Sequence, residues 1–150
     1  MMHHKNRTQV NNILMIDDNP TDVLLMKEAF ALCGSTSNIF VAEDGVHALE
    51  FLKKQNQFQH VPRPDIILLD LNMPKRSGLD VLAELKSDPE LDTIPVIIYT
   101  SSAALEDVKA AYQKHANAYI KKSGDFESCI RIAKLLKDFW LSTAILIRPD

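Results

Sequence analysis

Four short aliphatic runs punctuate the chain: Ile13-Leu14-Met15-Ile16, Ile39-Phe40-Val41-Ala42, Ile66-Ile67-Leu68-Leu69 and Pro95-Val96-Ile97-Ile98-Tyr99. Each is continuous rather than alternating, the pattern of strands covered on both faces. A fifth run, Ala118-Tyr119-Ile120, is shorter and weaker. Between the runs lie segments of helical period: Val23/Met26/Lys27/Phe30, Val46/Leu49/Phe51/Leu52, Leu79/Leu82/Ala83/Leu85 and Leu105/Val108/Ala111/Tyr112. Asn19 before Pro20 offers a side-chain acceptor at the N-cap and a ring at the first helical position, Gly34 follows the last periodic residue, and Ser77 opens another helix before Gly78. Gln55 to Arg63 reads as a loop, with Pro62 and Pro64 framing the entry to the third strand.

Strand and helix thus take turns in five βα units of about 25 residues, and right-handed crossovers assemble such units into a parallel sheet between helices. The expected fold is a doubly wound α/β domain with five parallel strands. It spans residues 11–141, leaving an N-terminal tail at 1–10 and a C-terminal tail at 142–150.

Composition narrows the function. The 150 residues, 46% hydrophobic and 25% charged, suit one ordinary core and leave little room for a second. A net charge of −3 provides no basic excess to neutralise a row of phosphates, so nucleic acid is not an expected partner. The four glycines, at 34, 45, 78 and 124, form neither GxGxxG nor GxxxxGK[ST], which excludes dinucleotide and P-loop chemistry. Cys33 and Cys129 lie in apolar helical patterns without metal-ligand spacing, and read as small buried hydrophobes of a reducing compartment. The opening MMHHKNR has no apolar stretch, and the longest aliphatic run is far shorter than a bilayer span, so a soluble cytoplasmic protein with no membrane partner is expected. His47, His60 and His115 lack a second ligand at i+4 and carry no expected metal role.

The carboxyl ends of parallel strands are where such sheets bind ligands. Here they carry Asp17-Asp18, Glu43-Asp44, Asp70, Thr100 and Lys121-Lys122. Three carboxylates converging from strands one and three repel one another by about 4 kcal/mol per pair at 4 Å and an effective dielectric near 20. Such a cluster asks for a cation, and hard oxygen ligands with open positions suit Mg²⁺ (or Mn²⁺) rather than Zn²⁺. Taken singly, the residues have plainer readings: Asp17-Asp18 as a turn pair capping the first helix, Thr100 as a β-branched strand end, Tyr119 as a half-buried strand aromatic.

Together, Asp17-Asp18, Leu-Leu-Asp70-Leu-Asn72-Met-Pro74 with Ser77-Gly78 after it, Thr100 and Lys122 resemble the receiver domain of two-component response regulators, over residues of about 11 to 140. The resemblance implies a flavodoxin-like (βα)5 fold and a signalling module rather than an enzyme. It implies that Asp70 takes a phosphoryl group from a histidine kinase and that Asp18, Asp70 and the backbone carbonyl of Asn72 hold Mg²⁺, with Asp17 acting on the metal through water. Thr100 and Lys122 would bind the phosphoryl oxygens, with Thr100 and Tyr119 as the switch pair and an unidentified downstream protein as reader. Lys122 is preferred to Lys121 because it lies three residues past Tyr119. Ser123 stands where most of the family has proline, Tyr99 is bulkier than usual, and Asn72 and Ser102 occupy positions at which the family tunes phosphate lifetime.

The Lys-Ser ending of strand five, the insertion from Gln55 to Pro64, Asp88-Pro89-Glu90-Leu91 before Ile94-Pro95, and Phe139-Trp140-Leu141 resemble, more narrowly, the stand-alone response regulators paired with cyanobacterial phytochromes. That likeness implies a light-responsive kinase as phosphodonor. Two alternatives remain: an aspartyl-phosphate hydrolase of the haloacid-dehalogenase type, whose DxD is missing at Asp17-Asp18-Asn19, and a scaffold pseudo-receiver that takes no phosphate. In the last helix, Phe126, Cys129, Ile130, Ala133, Leu136 and Trp140 form one stripe, and Ile132, Leu135 and Phe139 widen the apolar arc to about 220°, against the roughly 100° that one core contact needs. A homodimer through this helix, helped by residues 141–147, is therefore expected, with folding of the tail onto its own domain as the plainer reading.

Overall fold

The computed structural model describes residues 10–149. Of the expected N-terminal tail only Val10 falls among them. In chain order the elements are β1 (Asn12–Ile16), α1 (Pro20–Leu32), β2 (Asn38–Ala42), α2 (Gly45–Leu52), β3 (Ile66–Leu69), α3 (Gly78–Ser87), β4 (Val96–Thr100), α4 (Leu105–Gln113), β5 (Ala118–Lys121) and α5 (Phe126–Leu135). A π-helical turn, Leu136–Trp140, continues α5, and a single 3-10 turn, Asn56–Phe58, lies in the loop before β3. The caps are where the residue types put them. Asn19 accepts from Thr21 N and Asp22 N ahead of α1, and Ser77 accepts from Asp80 N ahead of α3.

The five strands are parallel in the order β2-β1-β3-β4-β5. This is the doubly wound order whose topological switch falls between β1 and β3, the place where such sheets open a crevice at their carboxyl ends. Side chains alternate across the sheet. Leu14, Ile16, Ile67, Leu69, Val96 and Ile98 meet α2, α3 and Ala111 of α4 on one face. Ile13, Met15, Ile66, Leu68, Ile97 and Tyr99 meet α1 and α5 on the other. β1, β3 and β4 are thus strands buried on both sides, whereas β2, expected from its continuous run to be covered on both faces, is like β5 an edge strand and only half-buried.

Three further expectations need correction. The period of α4 is right but its apolar face is only shallowly covered: Ala111 is the one buried residue of the helix and Val108 is half-buried, while Leu105 and Tyr112 stand exposed. Cys129 is buried, but Cys33, at the C-cap of α1, is only partly so. In α5, Ile132 belongs to the core with Cys129, Ala133 and Leu136, leaving Leu135 and Phe139 at 59% and 53% exposure as the uncovered flank.

The segment expected to help close a dimer is divided. Leu141 and Leu146 pack on the α1–α5 side of the core, and Arg148 pairs with buried Asp65, whose second oxygen accepts from Asn12 N at 2.7 Å. Ile145 and Ile147 face outward. No helix among the described residues is long and apolar enough to cross a membrane.

Candidate functional site

Register builds the site. Ile16 pairs with Leu69 across β1 and β3, so the next residues, Asp17 and Asp70, emerge side by side at the carboxyl end of the sheet. The backbone N–H of Asp70 donates to Ile16 O at 2.9 Å and locks that pairing. From β4, Leu69 is paired with Ile98, and Thr100, two residues on, reaches over Asp70. Its fully buried hydroxyl donates to Asp70 Oδ1 at 2.7 Å. The backbone N–H of Asn72 donates to the same oxygen at 3.1 Å. Gly78 makes this close packing feasible: a Cβ there would lie 2.6 Å from Leu71 Cα and closer still to Asp70 O.

The other oxygen of Asp70 accepts from Lys122 Nζ at 3.0 Å. That ammonium also donates to Asp17 Oδ2 at 2.7 Å and to Asp22 Oδ2 at 2.8 Å, and the lysine side chain is only 8% exposed. Lys121 is exposed, and of the two lysines it is Lys122 that reaches Asp70. The Lys122–Ser123 bond is trans, like every described peptide bond, so the chain turns here without the family's proline. Burial alone would depress the Lys122 ammonium, but its bonds to Asp17 and Asp22 and the charges of Asp17 and Asp70 hold it above the ordinary lysine range. Burial pushes the Asp17 carboxyl up, and Lys122 and Asn19 N oppose it without cancelling it. Tyr99 lies beneath the cluster, its ring centroid 5.6 Å from Lys122 Nζ and its hydroxyl 3.6 Å from Cys129 Sγ. The bulk unusual at this position therefore closes the α1–α5 side of the site.

Asp18, exposed, completes a group with Asp17 and Asp70 in which one oxygen of each residue lies within 4.8 Å of the others. The donors are all carboxylate oxygens, one of them open to water, a set that fits a hard divalent ion such as Mg²⁺ or Mn²⁺ and offers nothing to a soft one. With all of them ionised, Asp17, Asp18, Asp22 and Asp70 against one ammonium leave three net negative charges, a standing repulsion that a cation would relieve.

Tyr119 is tied to the site indirectly. Its hydroxyl donates to Ser102 O at 2.8 Å in the loop following Thr100, and Ser102 Oγ donates to Asp107 Oδ2 at 2.5 Å in the first turn of α4. Burial pushes the Tyr119 hydroxyl up, so it remains a donor at neutral pH. Asp17, Asp18, Asp70, Thr100 and Lys122 are therefore brought together, Tyr119 joins them through Ser102, Asn72 meets Asp70 through its N–H, and the addition is Asp22. An acid in the first turn of a helix reads as a partner of the helix dipole; only the position of α1 against β5 shows that it faces Lys122.

The receiver-domain model of response regulators matches residues 13–134. The chain belongs to the response regulator receiver family. It is 37% identical to response regulator Rcp1 of Synechocystis over 134 residues, which cover 89% of this chain and 91% of Rcp1. The crystal structure of the phosphorylated cyanobacterial phytochrome response regulator RcpA superposes with a TM-score of 0.87 at 39% identity, covering 92% of this chain and 99% of RcpA. The Mn²⁺-bound form of Rcp1 does so with a TM-score of 0.84 at 38% identity, with the same coverages. Chemotaxis protein CheY-3 of Vibrio cholerae is 34% identical over 110 residues, 73% of this chain and 78% of that protein. The receiver fold and a signalling role of the response regulator kind follow from this membership, and the hydrolase alternative falls with it.

Proposed function

We propose that this receiver accepts a phosphoryl group on Asp70 from a histidine kinase, in the cytoplasm, and signals through a protein that binds the phosphorylated form. The carrying observation is that both oxygens of Asp70 are already engaged, one by Thr100 and the other by Lys122, beside Asp17 and Asp18. A hydroxyl and an ammonium so placed are positioned to neutralise phosphoryl oxygens during in-line transfer, which needs little else from a protein. Asp17, Asp18, Asp70 and the Asn72 carbonyl would hold Mg²⁺, which when bound supplies further neutralisation of phosphoryl charge. In this sense the chain assists its own phosphorylation and dephosphorylation without being an enzyme.

Thr100 and Tyr119 connect the site to the surface. The hydroxyl of Thr100 follows whatever charge Asp70 carries, and Tyr119 holds the same loop through Ser102 O, so a new charge at Asp70 biases the loop and α4 together. The likeness to RcpA and Rcp1 favours a phytochrome as the kinase. Exposed Leu135 and Phe139 favour a homodimer through α5.

The test is mass spectrometry after incubation with acetyl phosphate or a candidate phytochrome kinase, ATP and Mg²⁺. Wild type should gain one phosphoryl group and Asp70→Asn none. Equal labelling of the two would refute the assignment.

A further inference from the structure

Lys122 carries three N–H donors, and each is spent on a carboxylate from a different part of the chain: Asp17 after β1, Asp22 in the first turn of α1, and Asp70 after β3. Asp17 and Asp70 also belong to the cluster suited to a divalent ion. Asp22 does not. Its contact with Lys122 is thus the one that does not draw on the metal-facing oxygens. It is also firmly mounted, because its N–H is capped by Asn19 Oδ1 at 3.1 Å and its neighbour Val23 is buried in the core.

We infer that Asp22 is a positioning residue for phosphoryl transfer: it tethers the Lys122 ammonium from α1 and keeps it aimed at Asp70 while Asp17 and Asp70 turn their oxygens to other partners. The inference rests on the phosphoryl-acceptor reading given above. In the forward step an Asp70 oxygen attacks phosphorus as the bond from phosphorus to the donor's acyl oxygen breaks, forming the acyl phosphate and releasing acetate when acetyl phosphate is the donor. In the hydrolytic step that removes the label, water attacks phosphorus, the bond to Asp70 breaks, and inorganic phosphate leaves with both water protons, the Asp70 carboxylate being restored. In both steps charge rests on phosphoryl oxygens near Lys122. Without Asp22 the flexible lysine stem is ordered by Asp17 and Asp70 alone, the two groups whose charge is claimed elsewhere during the reaction. The plainer role for Asp22, a first-turn acid on α1, predicts a change in stability alone.

The experiment compares labelling by acetyl phosphate and Mg²⁺ in wild type, Asp22→Ala, Asp22→Asn, Lys122→Ala and the double variant Asp22→Ala/Lys122→Ala. It adds the ¹⁵N NMR signal of the Lys122 ammonium in the unphosphorylated proteins. Labelling of Asp22→Ala should be about tenfold slower than wild type, the scale of one charge-assisted hydrogen bond. Asp22→Asn, which keeps an acceptor oxygen at the same reach, should lose less. The double variant should be no slower than Lys122→Ala, and the slowly exchanging Lys122 signal should broaden or vanish in Asp22→Ala. Wild-type labelling with Asp22→Ala unaffected, an added loss in the Lys122→Ala background, or an unchanged ammonium signal would each overturn the inference while leaving the acceptor reading intact. A wild type that takes no label would overturn both.

Discussion

At Gly78, stability and site geometry meet in one atom. A Cβ at this position would lie 2.6 Å from Leu71 Cα and 2.9 Å from Asp70 C, and nearer still to Asp70 O. Carbon atoms in contact sit about 3.5–4.0 Å apart, so α3 must retreat from the end of β3 by about 1 Å. The obstacles are backbone atoms and cannot swing aside. Overpacking costs about 1–3 kcal/mol, an overlap with three backbone atoms belongs at the upper end, about 3 kcal/mol, and the gain in helix propensity returns at most about 1 kcal/mol, so Gly78→Ala should lose about 2 kcal/mol. With a urea slope of about 2 kcal/mol/M the midpoint falls by about 1 M, measured by circular dichroism. Gly34→Ala is the control: it has nothing within 4 Å but a φ of +71°, and should lose only about 1 kcal/mol. Because the displaced carbonyl is that of Asp70, acetyl phosphate labelling of Gly78→Ala should also slow. A midpoint at or above wild type, or a loss smaller than that of Gly34→Ala, would refute the packing argument.

Asp44 caps α2 through His47 N at 2.8 Å, and it also binds the His47 ring and Lys75 Nζ at 2.7 and 3.3 Å, so Asp44→Ala should cost about 1–2 kcal/mol in a denaturant titration. Burial alone would raise this carboxyl, but His47 and Lys75 outweigh it and hold it below the ordinary aspartate value. The stabilisation is then intact above about pH 4 and lost as pH falls through the lower folded-state value, and wild type and Asp44→Ala should converge in stability there. Mg²⁺ at about 100 times its dissociation constant should stabilise the fold by about 2.7 kcal/mol, read as a rise in Tm; an equal rise in Asp18→Ala would remove Asp18 from the ligand set. Sedimentation equilibrium at micromolar concentration should find wild type dimeric and Leu135→Glu/Phe139→Glu monomeric, and two equally monomeric proteins would end the dimer proposal.

The legible parts of the sequence were those where one physical demand outweighed all others. The β1, β3 and β4 runs could be read because strands buried on both faces tolerate nothing but aliphatic residues, and α1 because Asn19-Pro20 meets the donors of a helix start. The weakness of Ala118-Tyr119-Ile120 reported the half-exposure of an edge strand. Asp17, Asp70, Thr100 and Lys122 stood out because charge and hydroxyl at the ends of apolar runs have few structural uses. Periodicity did not tell how little of the apolar face of α4 is covered, since Leu105 and Tyr112 keep helical spacing while exposed. Asp22 was hidden by having an adequate local reason to exist, and Arg148 by a pairing with Asp65 that spans 83 residues.

The weak attachment of α4 has a consequence for the hierarchy of opening motions. The helix has nine residues, one buried side chain and no side-chain cap at its N-terminus, whereas β1, β3 and β4 are enclosed by two half-cores. Opening free energy follows buried apolar contact, so α4 amides should exchange with deuterium through small local excursions, and strand amides only through global unfolding. The loop bearing Ser102, held by Tyr119 and by Asp107 of α4, belongs to the same loosely held unit. Rearrangement there then costs a fraction of the total folding energy and leaves Asp17 and Asp70 in register.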